Sequence, residues 1–482
     1  MTFSSVFFLF FFLPVSLAIY FTIGRLCRNL VLLLISLLFY AWGEHVYVLL
    51  MLASVVWNYC SGLLIAGSRQ PVRKRMWLIL AVAVNLLPLI YFKYSSFFLQ
   101  TVQDLFPSLS AGLLADFTHP HLPIGISFFT FQAISYVVDV YRGVSRPQKN
   151  ILDLGLYVAL FPQLIAGPIV RYRDIARQLR QRLHGIETFA AGVERFIFGL
   201  SKKMLLANPL GQVADTVFAL SSTSLTLSTA WLGILSYSLQ IYFDFSGYSD
   251  MAIGLGGMFG FRFPENFNYP YISRSVREFW RRWHISLSYW FRDYLYIPLG
   301  GSRGGRLNTY RNLLVVFLLC GLWHGANWTF LFWGLFHGLF IIVEHSGAGR
   351  LLSALPLWAR HLYMVCFLCI SWVFFRAESL GQAFAYLGRM FDVSSLQCHP
   401  LAAVHLDLHF IWVFVTAVLL AMPLYPALLN KISTLQENSS AGGNVMVAGG
   451  ALLRLGTLGM LLLTSAMSLA AGAYNPFIYF RF

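Results

Sequence analysis

The chain has 482 residues, of which 58% are hydrophobic, 17% aromatic and 11% charged. A soluble domain carries roughly 25% charged residues, so there is too little polar surface here for one, and the aromatic content excludes a disordered polymer, which is polar and aromatic-poor. The composition, with a mean hydropathy of +0.67, is that of a polytopic integral membrane protein. The 34 Lys and Arg against 19 Asp and Glu, a formal charge of +15, fit basic residues gathered in cytoplasmic loops better than a compact nucleic-acid patch. The same basic mouth would attract an anionic substrate.

Taken in chain order, the first apolar run covers 6–23 with no basic segment before it. It reads as a span and not as a cleaved leader. Further runs cover 30–42, 47–66, 76–95, 122–141, 190–215, 229–258, 312–346, 357–375, 406–428 and 445–472. The stretch 312–346 is long enough for two spans with a tight break. A crossing needs roughly 20 apolar residues, which predicts about 10–12 membrane-embedded helices in an all-α chain. Basic groups after the first, third and fifth runs (Arg25 and Arg28; Arg69, Arg73, Lys74 and Arg75; Arg142, Arg146 and Lys149) place those ends in the cytoplasm and the N-terminus outside. The loop 96–121 lacks Lys and Arg and fits the outer face. We divide one membrane domain, 1–482, into N-terminal helices (1–120), a catalytic core (121–346) and C-terminal helices (347–482).

Residues 153–170 break the alternation. They are apolar, yet basic clusters flank both sides, and Pro162, Gly167 and Pro168 interrupt them. A re-entrant or broken helix is expected, the alternative being a kinked but complete span, and irregular backbone at membrane depth lies where protein or a wet cavity surrounds it. The six cysteines (Cys27, Cys60, Cys320, Cys366, Cys369 and Cys398) show neither a disulfide framework nor zinc spacing and read as apolar packing residues.

The segment 262–311 is the most polar. Within 273–293, Val276, Trp280, Trp283, Leu287 and Trp290 recur at helical spacing, and Arg277, Arg281, His284 and Ser288 follow on a neighbouring face. An interfacial amphipathic helix is expected, with His284 near the membrane surface. Arg277 and Arg281 either snorkel to lipid phosphates or, with Arg282, line the way in for a phosphate-bearing donor. The glycine-rich 300–305 has no P-loop spacing.

His324 stands apart, in Gly321-Leu-Trp-His-Gly-Ala-Asn-Trp328 inside an apolar run. Twelve residues of helix from Asn312 rise roughly 18 Å, which puts His324 near the middle of a hydrocarbon core roughly 30 Å thick. An ionisable residue there is a functional candidate because its burial is costly. Trp323 and Asn327 flank it; His337 and His345 follow in the next helix and read as structural. Asp244 and Asp250 either orient a histidine, bind a sugar hydroxyl or pair with buried arginines.

Several stretches together resemble the membrane-bound O-acyltransferase (MBOAT) family, in the bacterial branch typified by the alginate O-acetyltransferase membrane subunit. They are Phe161 to Pro168, Tyr242 to Gly254, Glu265 to Tyr271, Glu278 to Ser288, Phe291 to Arg303, Leu322 to Ala326, the opening Phe3-Ser-Ser and the terminal Asn475 to Phe482. The resemblance implies a ring of helices around a thin centre, with funnels from both faces forming a tunnel. It implies His324 as the catalytic residue and His284 as a second active-site histidine, with no bound cofactor or metal. It further implies a bacterial inner membrane, a cytoplasmic thioester donor such as acetyl-CoA, a polysaccharide acceptor outside, and an extracytoplasmic acetyl-handling partner protein. Alternatives are a transporter or flippase of a polysaccharide precursor, a family member of D-alanyl specificity, and an inactive scaffold. Broken helices and a polar midplane also suit a carrier, whereas paired histidine motifs and the lack of inverted repeats favour an enzyme.

Overall fold

The computed structural model describes residues 2–24, 27–106, 120–182, 184–221, 223–395, 406–424, 443–472 and 474–476, side chains of 443–448 excepted. Arg25, Cys398, part of the loop after residue 106, and the ends of the 406–428 run and of the terminal motif lie outside them. All regular elements among the described residues are helical.

A π-turn at Phe8–Phe12 leads into α1 (Leu13–Thr22), followed by α2 (Arg28–Glu44), α3 (Val48–Gly67), α4 (Pro71–Leu89) and α5 (Ser95–Leu105). Then come α6 (Ile126–Tyr141), the short α7 (Ile151–Ala159) and α8 (Phe161–Leu164), a single turn α9 (Tyr172–Ile175), α10 (Ile186–Ser201), α11 (Asn208–Phe218) and the long α12 (Leu227–Met258). The polar segment holds α13 (Val276–Arg282) and α14 (Ile285–Phe291), and the chain continues with α15 (Gly305–His324), α16 (Trp328–Val343), α17 (Gly349–Ala354), α18 (Leu357–Arg376), α19 (Leu380–Met390), α20 (Leu408–Leu420) and α21 (Gly443–Ala470). By length and apolar composition, five helical stretches among the described residues can cross a membrane: Arg28–Gly67, Pro71–Leu105, Trp328–Ala354, Leu357–Arg376 and Gly449–Ala470. Large apolar side chains such as Leu34, Leu38, Val72 and Leu453 face outward along them, the reverse of a soluble surface and suited to lipid.

The interior is held by close helix contacts at small residues, as expected where lipid removes the hydrophobic drive between helices. On α10 and α12, Gly199 faces Gly247 and Gly192 faces Gly254. A Cβ built on any of the four would lie 2.5–2.7 Å from the opposing carbonyl oxygen. The two chain ends meet: Phe3 is buried and stacks on Tyr248 at 4.6 Å, and Asn475 donates to the Ser4 carbonyl at 2.9 Å.

The expected break in 153–170 is present. α7 ends at Ala159, α8 is one turn, and the chain then runs without helix to Arg171. Gly125, at φ +77°, brings its backbone so near this segment that a Cβ would sit 2.7 Å from the Leu164 carbonyl oxygen. Two expectations are corrected. Residues 96–105 are not loop: a π-turn at Ile90–Tyr94 carries α4 directly into α5, which stays helical to Leu105. The single amphipathic helix over 273–293 is two helices. His284 takes left-handed backbone angles (φ 43°, ψ 54°), which end one helix and start the next.

Candidate active site

The chain break at His284 decides where that side chain goes. In an unbroken helix it would share the exposed face of Arg277 and Arg281; turned through left-handed backbone, it is fully buried. Arg277 and Arg281 remain exposed, so the structure separates His284 from the two arginines that helical spacing had grouped with it. Arg282 is occupied by Glu278 at 3.0 Å and by the Asn268 carbonyl at 3.1 Å. The Glu344 carboxylate accepts from the backbone N–H groups of Val276 (2.7 Å) and Arg277 (3.1 Å) and so holds the first turn of α13.

His284 meets His324 in the interior. Their ring centroids are 6.4 Å apart, and the Trp323 ring lies beside both, at 5.9 Å from His284 and 4.9 Å from His324. α15 begins at Gly305, seven residues before the expected start, and ends at His324 itself. The imidazole therefore sits at a helix terminus and not inside a continuous span. Beyond the break, α16 opens the helical stretch Trp328–Ala354, one of the five that can cross a membrane. Trp333 and Phe375 wall His324 edge-on at 5.1 and 5.2 Å. His324 keeps 5% of its surface accessible, His284 none.

Hydrogen-bond bookkeeping assigns the His284 tautomer. Asn266 Oδ1 accepts from the Ser286 backbone N–H (3.3 Å) and from Ser286 Oγ (2.9 Å), so the atom there is oxygen. His284 Nδ1 lies 3.1 Å from the same oxygen and must carry the proton. Its Nε2 then has a free lone pair. Ser286 Oγ in turn accepts from the backbone N–H of Ile169 at 2.9 Å, which ties the broken segment to the histidine. Among the described residues, neither His284 Nε2 nor His324 Nε2 has a hydrogen-bond partner. The third buried histidine differs. His337 Nδ1 accepts from Trp280 Nε1 at 3.1 Å, so Nε2 donates to Ser371 Oγ at 2.6 Å, and both nitrogens are spent.

The remaining sequence candidates are placed as follows. Asp250 pairs with Arg195 (2.8 Å) and Lys202 (2.6 Å), and Asp244 with Lys203 (2.7 Å), both ionic pairings between helices. Asn327 caps α16 by accepting from Thr329 N–H and donates to the Glu378 carbonyl, both at 3.0 Å. The indole N–H groups of Trp323 and Trp333 are buried without an acceptor among the described residues. No group of three or more His, Cys, Asp or Glu with metal-site geometry occurs among the described residues.

Sequence reasoning did not single out Asn266 or Lys93. Asn266 entered only within Glu265 to Tyr271, because its work depends on a partner 18 residues away. Lys93 passed unremarked within the apolar run 76–95. The available signal was a lysine five residues after Pro88 within an apolar stretch, an ionisable group at depth.

Comparison with known proteins bears on the same residues. A sequence model of "MBOAT, membrane-bound O-acyltransferase family" matches residues 146–375, which contain both histidines. The protein named "Probable alginate O-acetylase AlgI" of Pseudomonas aeruginosa is 48% identical over 412 residues, covering 84% of this chain and 78% of its own. Its namesake in Azotobacter vinelandii is 44% identical across the whole of both chains. The peptidoglycan O-acetyltransferase of Helicobacter pylori is 39% identical over 82% of this chain and 81% of its own.

Proposed function

The chain belongs to the membrane-bound O-acyltransferase family and is a multi-pass membrane enzyme, and from that premise we propose that it acetylates hydroxyl groups of an extracytoplasmic polysaccharide, alginate first, using acetyl-CoA from the cytoplasm. The observation that carries this reading is the pair of neighbouring imidazoles whose Nε2 atoms, unlike the spent nitrogens of buried His337, have no hydrogen-bond partner among the described residues. The names of the similar chains point to acetyl transfer onto glycans.

In this reading His324 is the general base. Its Nε2 takes the acceptor hydroxyl proton as that oxygen attacks the thioester carbonyl. The C–S bond then breaks, and the sulfur leaves with the proton from the imidazolium, so an ester and a free thiol result. Positioned base catalysis of this kind contributes on the order of 100- to 10,000-fold. The buried, aromatic-walled site excludes water and so limits thioester hydrolysis. The indole N–H groups of Trp323 and Trp333 supply donors for the developing oxyanion, and His284, held neutral with Nε2 free, orients the donor carbonyl's surroundings. The immediate acceptor is the glycan or a hydroxyl of an acetyl-handling partner protein outside the inner membrane.

The test is the acetyl content of the exported polymer in cells carrying each variant as the sole copy. His324→Ala is expected to abolish acetylation with normal amounts of folded protein, and His284→Ala to reduce it on the order of 100-fold, the loss that misplacement of a reacting group brings. Near-normal acetylation by His324→Ala would discard the reading. Labelled acetyl-CoA supplied to inside-out membrane vesicles identifies the donor: label must reach polymer or partner.

A further inference from the structure

An α-helix leaves its last carbonyls without intrahelical partners, and in a membrane interior no bulk water satisfies them. α15 meets this problem at the residue that bears the imidazole. Its last ladder bond runs from Gly325 N–H to the Gly321 carbonyl at 3.2 Å. The next three carbonyls, of Leu322, Trp323 and His324, are taken by two side chains of another helix. Tyr94 Oη donates to Leu322 O at 3.0 Å. Lys93 Nζ donates to Trp323 O at 2.5 Å and to His324 O at 3.3 Å.

The delivery of these two groups is local in origin. Pro88 lacks the N–H that an α-helix needs, and the helix widens into the π-turn Ile90–Tyr94, a distortion common at functional sites. The turn sends adjacent residues, Lys93 and Tyr94, to one neighbour. Lys93 is buried, and among the described residues its Nζ partners are carbonyls and not a carboxylate. A cation against a helix C-terminus is favoured by the macrodipole. The Lys93 ammonium also lies 5.9 Å from the Trp323 ring centre.

We propose that Lys93 and Tyr94 are positioning residues for acyl transfer: they clamp the open end of α15 and so fix where the His324 ring stands. This rests on the reading of His324 as the base. A misplacement of about 1 Å at a catalytic group costs on the order of 100-fold, so a frayed helix end is enough to silence the site while the fold survives.

The experiment compares Lys93→Met, Lys93→Arg and Tyr94→Phe with wild type and His324→Ala, each as the only copy in polymer-exporting cells. Acetylation rate, folded protein from detergent extracts and melting temperature are measured together. Lys93→Met keeps the chain length and removes the donors; it is expected to lose about tenfold or more in rate at near-normal folded amount. Lys93→Arg restores much of that loss because its guanidinium still donates to two carbonyls, a rescue that an apolar packing role would not show. Tyr94→Phe removes one bond and is expected to lose roughly threefold; it decides the matter if Lys93→Met fails to accumulate. Wild-type rates for both Lys93→Met and Tyr94→Phe, with His324→Ala inactive, overturn the clamp alone. Activity in His324→Ala overturns the reading beneath it.

Discussion

At the scale of single residues, Asn266 controls the protonation pattern of His284. Its Oδ1 collects three hydrogens, from Ser286 N–H, Ser286 Oγ and His284 Nδ1, and only one tautomer of the ring fits. Asn266→Leu leaves those buried donors unsatisfied, at roughly 1–3 kcal/mol for such a group. If that energy is felt in the transition state, acyl transfer falls by roughly 5- to 150-fold. Asn266→Asp preserves an acceptor at the same place and is expected to retain most of the rate. Initial rates of polymer acetylation for the two variants make the comparison; equal losses would show that Asn266 acts by shape and not by accepting the His284 proton.

At the scale of elements, the α15–α16 crossing sets the distance of His324 from the Trp333 ring. A Cβ on Gly321 would lie 2.2 Å from the Phe330 carbonyl oxygen, and one on Gly334 2.3 Å from the Phe317 carbonyl oxygen, both against rigid backbone. A Cβ on Gly338 would meet the Phe317 Cβ at 3.1 Å, a milder contact. Overpacking costs typically about 1–3 kcal/mol, so Gly334→Ala is expected to lower both the melting temperature in detergent and the acetylation rate, and Gly338→Ala to change each much less. Similar behaviour of the two would remove the crossing as the constraint. Most of these elements were legible in the sequence because a membrane span announces itself by apolar length, and the break in 153–170 because its proline and glycine residues interrupt a run with basic flanks. The split at His284 was not legible. Trp280, Trp283, Leu287 and Trp290 keep helical spacing straight through it, and all four are buried on both sides of the turn. His324 stood out as an ionisable residue in an apolar run, whereas Lys93 and Asn266 take their roles from contacts with residues far away in sequence, which periodicity does not report.

At the scale of the whole molecule, Asp293 fastens three parts of the chain on the side of the polar segment. Its carboxylate receives Arg171 (2.7 Å), Arg173 (2.5 Å) and Arg292 (2.8 Å), and its backbone carbonyl receives Arg142 at 2.9 Å. The end of α6, the exit of the broken segment and the turn after α14 thereby share one anchor. Burial pushes the Asp293 carboxyl up, but the hydrogen bonds and charges of Arg292 and Arg173 outweigh it and hold the group below its ordinary 3.8. A carboxyl lowered on folding contributes stability that is fully present above the unfolded value and is lost as pH falls through the lower folded one. Because the cluster is partly solvated, its contribution is at most about 2 kcal/mol. Asp293→Asn is therefore expected to melt a few degrees below wild type at every pH above about 4, with the gap closing as the medium is made more acidic. Melting curves in detergent between pH 7 and pH 3 measure it. A gap that persists unchanged at the acid end would mean that the arginines are held by something other than this carboxylate's charge, and no gap at neutral pH would mean that the three elements are fastened elsewhere.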